Sequence, residues 1–553
     1  MNPFWTTLRR DGIAGLVCAI NNVSDGMACA ILAGVNPVYG LYAAIVGPAI
    51  GGALTSTQLM VVTTTSASAL IAGQTLSDIP VGARANTLFL LVMLSGVFQA
   101  LFGFLKLGRL VRFVSYSVMN GFLTGIAVLL ILSQLPTVTG ISTSGGNKLI
   151  QTLDLIRNLN QTSSMSLVVS LLSLGLAVSL SRTRIASFAS LFAIIIPSAL
   201  VAAFGFESVQ VVSEVGSFPQ GLPSFFLPSF SDINLDILTG ALALSAIILV
   251  QGAGVSQSVP NPDRSRRRNS RDFIAQGVAN IASGAFRGLP VGGSFNETAL
   301  SAMSGARTRW AAVLAGAFLA IFVLGFPSLI AHVATPALGA LLILAGVHNI
   351  KLSNLHLIWS AGWPSSLASI ATFLSALLLP IQAAVAVGMV LSAALYVYKA
   401  SSIITVVELV ERSDGRIEER SPPHLLEGGR ATVIDVHGDL FFAGARTLER
   451  LLPGAGKNRN PVVILRLRGH VIFGATLIEV LASYVDQLRQ VDGRLYLTGL
   501  SKSAYTHLRS SGRFQLAAPV RTHEATPILG ESTRNALADA ETWLLSLDTD
   551  VKK

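Results

Sequence analysis

The sequence predicts an α-helical polytopic membrane protein of about fourteen segments, arranged as two inverted seven-segment repeats and followed by a small cytoplasmic α/β domain. Three observations carry this expectation. Of the 553 residues, 51% are hydrophobic and only 12% charged, and the mean hydropathy is +0.62, beyond the range of ordinary soluble chains. The acids are unevenly placed: 11 of the 29 precede residue 400 and 18 follow it, which implies a membrane region over 1–400, a linker over 401–429 and a soluble domain over 430–548. Basic residues, finally, recur between the apolar runs as cytoplasmic loops of a membrane protein require.

The first span begins directly after Arg9, Arg10 and Asp11. It is too long and too late for a cleaved leader, and reads as an anchor that stays. Apolar stretches follow at 13–33, 39–55, 61–74, 87–105, 114–135, 165–181, 185–206, 237–258, 273–287, 294–305, 310–331, 334–350, 364–379 and 381–398; some are long enough to span a bilayer and some too short. If the segments alternate, Arg9 and Arg10, then Lys106, Arg109 and Arg112, then Arg182 and Arg184, then Arg264 to Arg271, then Arg307 and Arg309, then Lys351 and Lys399 all fall on one side. Both termini are then cytoplasmic, in an inner or plasma membrane. The long loops 136–163 and 207–235 are poor in base, and Arg84 and Arg287 are the exceptions. The net charge of +10 is accounted for by topology rather than by nucleic acid. Cys18 and Cys29 sit eleven apart in one apolar span, and neither they nor the scattered His332, His348 and His356 make a metal-ligand cluster.

A weak repeat is visible in Asp11-Gly-Ile-Ala-Gly15, which opens the first span, and Asp236-Ile-Leu-Thr-Gly240, which opens the eighth. Seven segments separate them, so repeat one covers 9–206, repeat two covers 236–400, and the odd number inverts the second copy. In this arrangement the third and tenth segments correspond. Thr63-Thr-Thr-Ser-Ala-Ser68 and Ser294-Phe-Asn-Glu-Thr298 are both short, small and hydroxyl-rich, and Pro290, Gly292 and Gly293 leave the backbone before the second unwound. Two broken helices are expected, with free N-termini at membrane depth where a solute or ion is held.

Asp25 and Glu297 are the two carboxylates placed well inside apolar spans, and an intramembrane acid is costly unless it faces protein, water or an ion. Each is a functional candidate. Each also has a structural reading: Asp25 within Asn21-Asn-Val-Ser-Asp-Gly26 as a carboxylate capped by its neighbours, Glu297 as an acid balanced by its own helix N-terminus. Gln251 and Gln257 can line the same cavity or join two helices.

Leu8-Arg-Arg-Asp11 with Ala14-Gly15, Met27-Ala28 and Leu32-Ala-Gly-Val-Asn-Pro-Val-Tyr-Gly-Leu-Tyr42 resemble the opening helices of the SulP anion transporters, solute-carrier family 26 in animals. Phe113-Val-Ser-Tyr-Ser-Val-Met-Asn-Gly-Phe122, Gly221-Leu-Pro223, Gly277-Val-Ala-Asn280, Pro290-Val-Gly-Gly-Ser-Phe295 and Ser304-Gly-Ala306 extend the resemblance over nearly the whole membrane part. It implies a mobile core domain (segments 1–4 and 8–11) working against a gate domain, and a dimer. The chain departs from the family where Asp25 replaces a usual Gln, Cys29 an aromatic, Val62-Thr63 a Gly-Pro or Gly-Thr, and Asn296-Glu297 a Ser-Arg. A positive charge has become negative.

Beyond Thr432, strand-like runs at 433–436, 462–465 and 494–498 alternate with helix-like runs at 443–453, 475–490 and 502–510, a small α/β pattern. It resembles the STAS domain that ends SulP proteins, with Gly438-Asp-Leu-Phe-Phe-Ala443 as its opening. Gly474-Ala-Thr476 keeps the hydroxyl but lacks the acid that often precedes the second helix there.

These readings predict a secondary transporter and not an enzyme, with no cofactor beyond Na⁺ or H⁺ as coupling ion. The substrate-binding candidates are Asp25, Cys29, Thr63, Thr64, Ser294, Phe295, Asn296 and Glu297, and the ion-coupling candidates Asp25, Glu297 and Gln251. A small anion is expected, bicarbonate or a carboxylate before sulfate. A cation-coupled carrier of a nucleobase or amine, and a channel or sensor, are the alternatives.

Overall fold

The computed structural model describes residues 3–107, 115–143, 148–183, 186–215, 221–379, 381–402, 404–469, 473–510, 512 and 519–550. Arg109, Arg112, Phe113 and Arg184 lie outside the described residues. The chain divides into two compact units, Met1–Ser392 and Ala393–Lys553.

The first unit is helical. In chain order it holds α1 (Pro3–Leu32), α2 (Pro37–Leu54), β1 (Val62–Thr64), α3 (Ser66–Thr75), α4 (Val81–Phe104), α5 (Tyr116–Thr139), α6 (Lys148–Arg157), α7 (Ser164–Ser181), α8 (Ala189–Phe204), α9 (Val212–Val215), α10 (Leu235–Ser258), α11 (Asn269–Ala285), β2 (Val291–Gly293), α12 (Phe295–Met303), α13 (Trp310–Gly325), α14 (Pro327–Ala331), α15 (Thr335–Asn349), α16 (Leu352–Ser360), α17 (Trp363–Leu378) and the first half of α18 (Ile381–Ser402), a helix that runs across the boundary. Among the described residues seven helices are long and apolar enough to cross a membrane, and four more are apolar but shorter. The half-helices α3 and α12 and the more polar α11 make up the rest of the two inverted seven-segment repeats. The order helix, helix, strand, half-helix, helix runs through α1–α4 and again through α10–α13.

Helix ends follow local chemistry. Asn36 accepts from the Val38 N–H ahead of Pro37, Ser115 and Asn234 cap α5 and α10, and α5 stops at Gly140 with φ +71°. The expected span 310–331 is two helices, because Pro327 lacks the N–H that would continue α13 and instead opens α14. The stretches read as loops, 136–163 and 207–235, contain α6 and α9. Close crossings need glycine: a Cβ on Gly40 would lie 1.8 Å from the Gly26 carbonyl oxygen, so α1 and α2 touch backbone to backbone.

The second unit is a six-stranded sheet in the order β4-β3-β5-β6-β7-β8, built from β3 (Thr405–Glu411), β4 (Ile417–Arg420), β5 (Ala431–His437), β6 (Val462–Arg466), β7 (Arg494–Leu500) and β8 (Val520–Glu524). β5 to β8 are parallel. Helices α19 (Phe442–Leu451), α20 (Ala475–Arg489), α21 (Lys502–Ser510) and α22 (Glu531–Asp550) connect and cover them, with Leu448, Leu465, Leu481 and Leu497 in one buried cluster and Val462, Tyr496, Ala536 and Ala540 in another. The expected linker 401–429 is a correction to the sequence reading. It carries the β3–β4 hairpin, turned at Gly415 with φ +77° and paired antiparallel to β5. The charges of 411–420 belong to an exposed edge, which natural sheets keep polar.

Candidate functional site

The two short strands set the site. Val62 pairs with Gly293, Thr63 with Gly292 and Thr64 with Val291, antiparallel, and the Ser294 N–H extends the pairing to the Val61 carbonyl at 3.0 Å. So short a ribbon is marginal alone, and side chains complete its hydrogen bonding. The Asn280 amide closes on both polar groups of the Val291 peptide, accepting from its N–H at 2.8 Å and donating to its oxygen at 2.6 Å. Gln276 accepts from the Gly293 N–H at 3.0 Å and the Thr298 hydroxyl from the Val61 N–H at 3.1 Å. Buried backbone polar groups at membrane depth are thereby satisfied.

From this ribbon α3 and α12 leave as separate half-helices. Thr65 and Ser68 form a reciprocal capping box at α3. Ser294-Phe-Asn-Glu297 has the same pattern, and Ser294 accepts from the Glu297 N–H at 3.3 Å. The Glu297 side chain, however, does not turn back to the cap.

A cavity of about 440 Å³ opens where the two N-termini meet. Asp25, Cys29, Thr64, Thr65, Ser66, Gln251, Gln257, Ser294, Phe295 and Asn296, from α1, β1, α3, α10 and α12 and their caps, line it together with Tyr116, Met119, Asn120, His348, Lys351 and Asn354, from α5, α15 and α16 and the turn between the last two. Gln251 accepts from the Thr65 hydroxyl at 3.4 Å, Asn354 donates to Asn120 at 2.8 Å, and the Lys351 ammonium stands 5.9 Å from the centre of the Phe295 ring. Among the lining residues Lys351 is the formal cation and Asp25 the formal anion.

Thr63 and Glu297 do not reach the cavity. The Thr63 hydroxyl is buried and donates to the Asn22 side-chain Oδ1 at 3.2 Å. Glu297 is 1% exposed and packs against the face of α1 that carries Cys18, Asn21, Asn22 and Asp25 at spacings of three and four. Its Oε1 accepts from the Asn21 amide, its backbone oxygen faces the Cys18 thiol at 3.8 Å, and its Oε2 has no hydrogen-bond partner among the described residues. The Asn22 amide nitrogen and the Ser301 hydroxyl are likewise buried without one. The Asn21 oxygen accepts from the Ser190 hydroxyl of α8 at 2.6 Å.

Asp11 and Asp272, at the ends of apolar spans, are acids that the fold buries as deeply as Glu297, each 1% exposed. Both are fully met by donors. Asp11 accepts from the Arg307 and Thr308 N–H groups, and Asp272 from the Ser56 and Thr57 N–H groups and the Thr57 hydroxyl at 2.7 Å. Such capped carboxylates tie loop to helix; Glu297, with a bare oxygen, is the one that differs. Sequence reasoning missed Asn280, Gln276 and Ser190, and read Lys351 only as a loop charge. The i, i+4 pair Gln276 and Asn280 in α11 was the available signal, being two amides on one face of a transmembrane segment.

Comparison with known proteins bears on the family and the fold. The sequence profile of the sulfate permease family matches residues 8–402. A probable sulfate transporter 4.2 of Arabidopsis thaliana is 24% identical over 548 residues, spanning 94% of this chain and 80% of its own. The bicarbonate transporter BicA of a Picosynechococcus species is 23% identical over 525 residues, 93% of this chain and 92% of its own. The structure of the murine Solute Carrier 26 family member A9 anion transporter in the inward-facing state superimposes with a TM-score of 0.83 at 18% identity, covering 98% of this chain and 92% of that one.

Proposed function

The chain belongs to the sulfate permease family of anion transporters, and from that premise we propose that it is a secondary active carrier of a small monovalent anion, bicarbonate or a carboxylate before sulfate, driven by H⁺ or Na⁺. The observation that carries the reading is the convergence of the α3 and α12 N-termini on one cavity with Lys351 and Asp25 in its wall. Each helix end contributes roughly half a positive charge. Added to Lys351 and set against an ionised Asp25, they leave a surplus of about one, which suits a monovalent anion better than a divalent one. An ionised Glu297 behind the wall would cancel that surplus. Loading of the coupling ion at Glu297, with Asp25 and Gln251 beside the solute, therefore favours the anion, which is the linkage symport needs. The relatives carry the same hint in their names, one a bicarbonate transporter and one a probable sulfate transporter.

In this reading residues 1–400 are the transport domain, with α1–α4 and α10–α13 as the part that slides against the rest. Residues 430–548 act as a STAS-like cytoplasmic domain, both termini are cytoplasmic, and the carrier works as a dimer. Asp25 also suits a cationic or neutral solute, so the test must include them. Purified protein in liposomes should accumulate labelled bicarbonate or acetate against its gradient when a pH or Na⁺ gradient is imposed, with saturation. Glu297→Gln should abolish that dependence while leaving exchange. Unsaturable current would make the protein a channel, and binding of nucleobases or amines alone would replace the anion reading.

A further inference from the structure

The unexplained group beside the site is Asn21. It lies on α1, behind the cavity wall, and its side-chain amide is shared between two helices that come from different parts of the fold. On one side its N–H₂ donates to Glu297 of α12. On the other its oxygen accepts from Ser190, in the first turn of α8. α12 hangs from the β1–β2 ribbon, whereas α8 packs against α7 and α15.

We propose that Asn21 is a positioning residue through which the charge on Glu297 holds α8 in place: the ionised carboxylate orders the Asn21 amide, and the ordered amide oxygen anchors Ser190. An ionised carboxylate can only accept, so it fixes which end of the amide faces it. A bond to an ionised acceptor is roughly twice as strong as a neutral one, and each link of the chain polarises the next. When a proton neutralises Glu297 the first bond becomes an ordinary one, the amide is free to reverse, and α8 is held less firmly. The groups facing Glu297 fit a proton better than a metal cation. Asn21 offers N–H to the carboxylate and Cys18 a thiol to the Glu297 backbone oxygen, while a hard cation takes six or more oxygens. The titratable neighbours are Cys18 and Asp25, both on α1, and among the described residues the Glu297 side chain bonds no base. The device rests on the coupling role given to Glu297 above, and adds a bias on the rate of sliding: with the acid empty the sliding part is held more firmly against α8 and moves more slowly, and with the acid loaded it moves more readily.

Ser190→Ala removes the far end of the latch without touching the carboxylate or the cavity. In full-length protein reconstituted into liposomes, Ser190→Ala should keep the KM for the anion but lower the accumulation ratio under a pH gradient about five-fold, as expected for one hydrogen bond of about 1 kcal/mol. Efflux without a gradient should lose its pH dependence, and Ser190→Thr should restore both. In the unsubstituted protein, the protection factors of the amides over 189–204, intrinsic over observed exchange rate at each pH, should fall between pH 8 and pH 5.5. A Ser190→Ala protein with wild-type accumulation and pH profile, or protection in α8 that ignores pH, would overturn the latch. Should Glu297→Gln still accumulate anion, the coupling role fails and the latch with it; if Glu297→Gln uncouples and Ser190→Ala does not, the latch alone fails.

Discussion

Lys351 and Asp25 bring opposite charges to one cavity, and their separate removal distinguishes what each does. Lys351→Gln takes away the formal cation while leaving the half-helices intact, so the KM for a monovalent anion should rise about ten-fold. Its dependence on ionic strength should fall in the same assay, and a neutral solute would be unaffected. Asp25→Asn should act differently, sparing anion affinity and weakening the dependence on the driving gradient. Cys29, Thr64, Gln251 and Asn296 join Asp25 on the wall, and their place was legible because N-cap hydroxyls, small residues and an intramembrane acid are local signals. Glu297 and Thr63 were visible as unusual residues, but not as residues facing Asn21 and Asn22. Which way a side chain points depends on a helix hundreds of residues away in sequence.

At the scale of elements, the pairing of α3 with α12 depends on one side chain more than on the strands themselves. Asn280→Ala leaves the N–H and C=O of Val291 buried without partners, and should cost about 2–4 kcal/mol, measured as a lower melting temperature in detergent together with lost transport. The α1–α2 crossing is less forgiving. Gly40→Ala drives a methyl into the Gly26 carbonyl and should yield no folded protein, while Gly12→Ala in the same α1, where nothing lies within 4 Å of the new carbon, should be silent. The broken helices were readable from glycine, proline and hydroxyl patterns. The β3–β4 hairpin was not, since Thr405-Val-Val-Glu-Leu-Val-Glu411 has too many charges around it to separate an exposed edge strand from a linker.

For the whole molecule, the two units answer to different solvents. In the second unit His523 stacks on Tyr496 at 6.1 Å between ring centres, with Asp539 4.0 Å from its ring nitrogen. Burial pushes its pKa down from 6.5, with the Asp539 carboxylate working in the opposite direction and Arg521 reinforcing the fall. The unfolded chain therefore binds the proton more readily, so stability is lost as pH falls below about 6.5 and levels off beneath the folded value. Because α22 packs over this ring, the Trp543 fluorescence, set by Arg494 at 4.1 Å, should report the loss, and His523→Gln should remove the pH dependence. In the membrane unit, a cysteine introduced at Ser265, among the arginines of the α10–α11 loop, should react with an impermeant reagent only from the cytoplasmic side. The spans were legible from apolar runs and the basic residues between them, and the division into two unlike parts from the uneven placing of acids, because bilayer thickness and charge asymmetry act on whole segments rather than on single contacts.

The β1–β2 ribbon also has a timetable. β1 ends at Thr64 and its partner begins at Val291, so the ribosome makes one strand more than two hundred residues before the other. Until the second emerges, the backbone donors and acceptors of Val62, Thr63 and Thr64 cannot face lipid. The nascent first half must therefore wait with this stretch in water, or sheltered by the insertion machinery, and α3 cannot settle at its final depth. Assembly of the solute site is then a late event in biogenesis, and a chain truncated before Gly293 should insert its outer helices yet remain a substrate for membrane quality control.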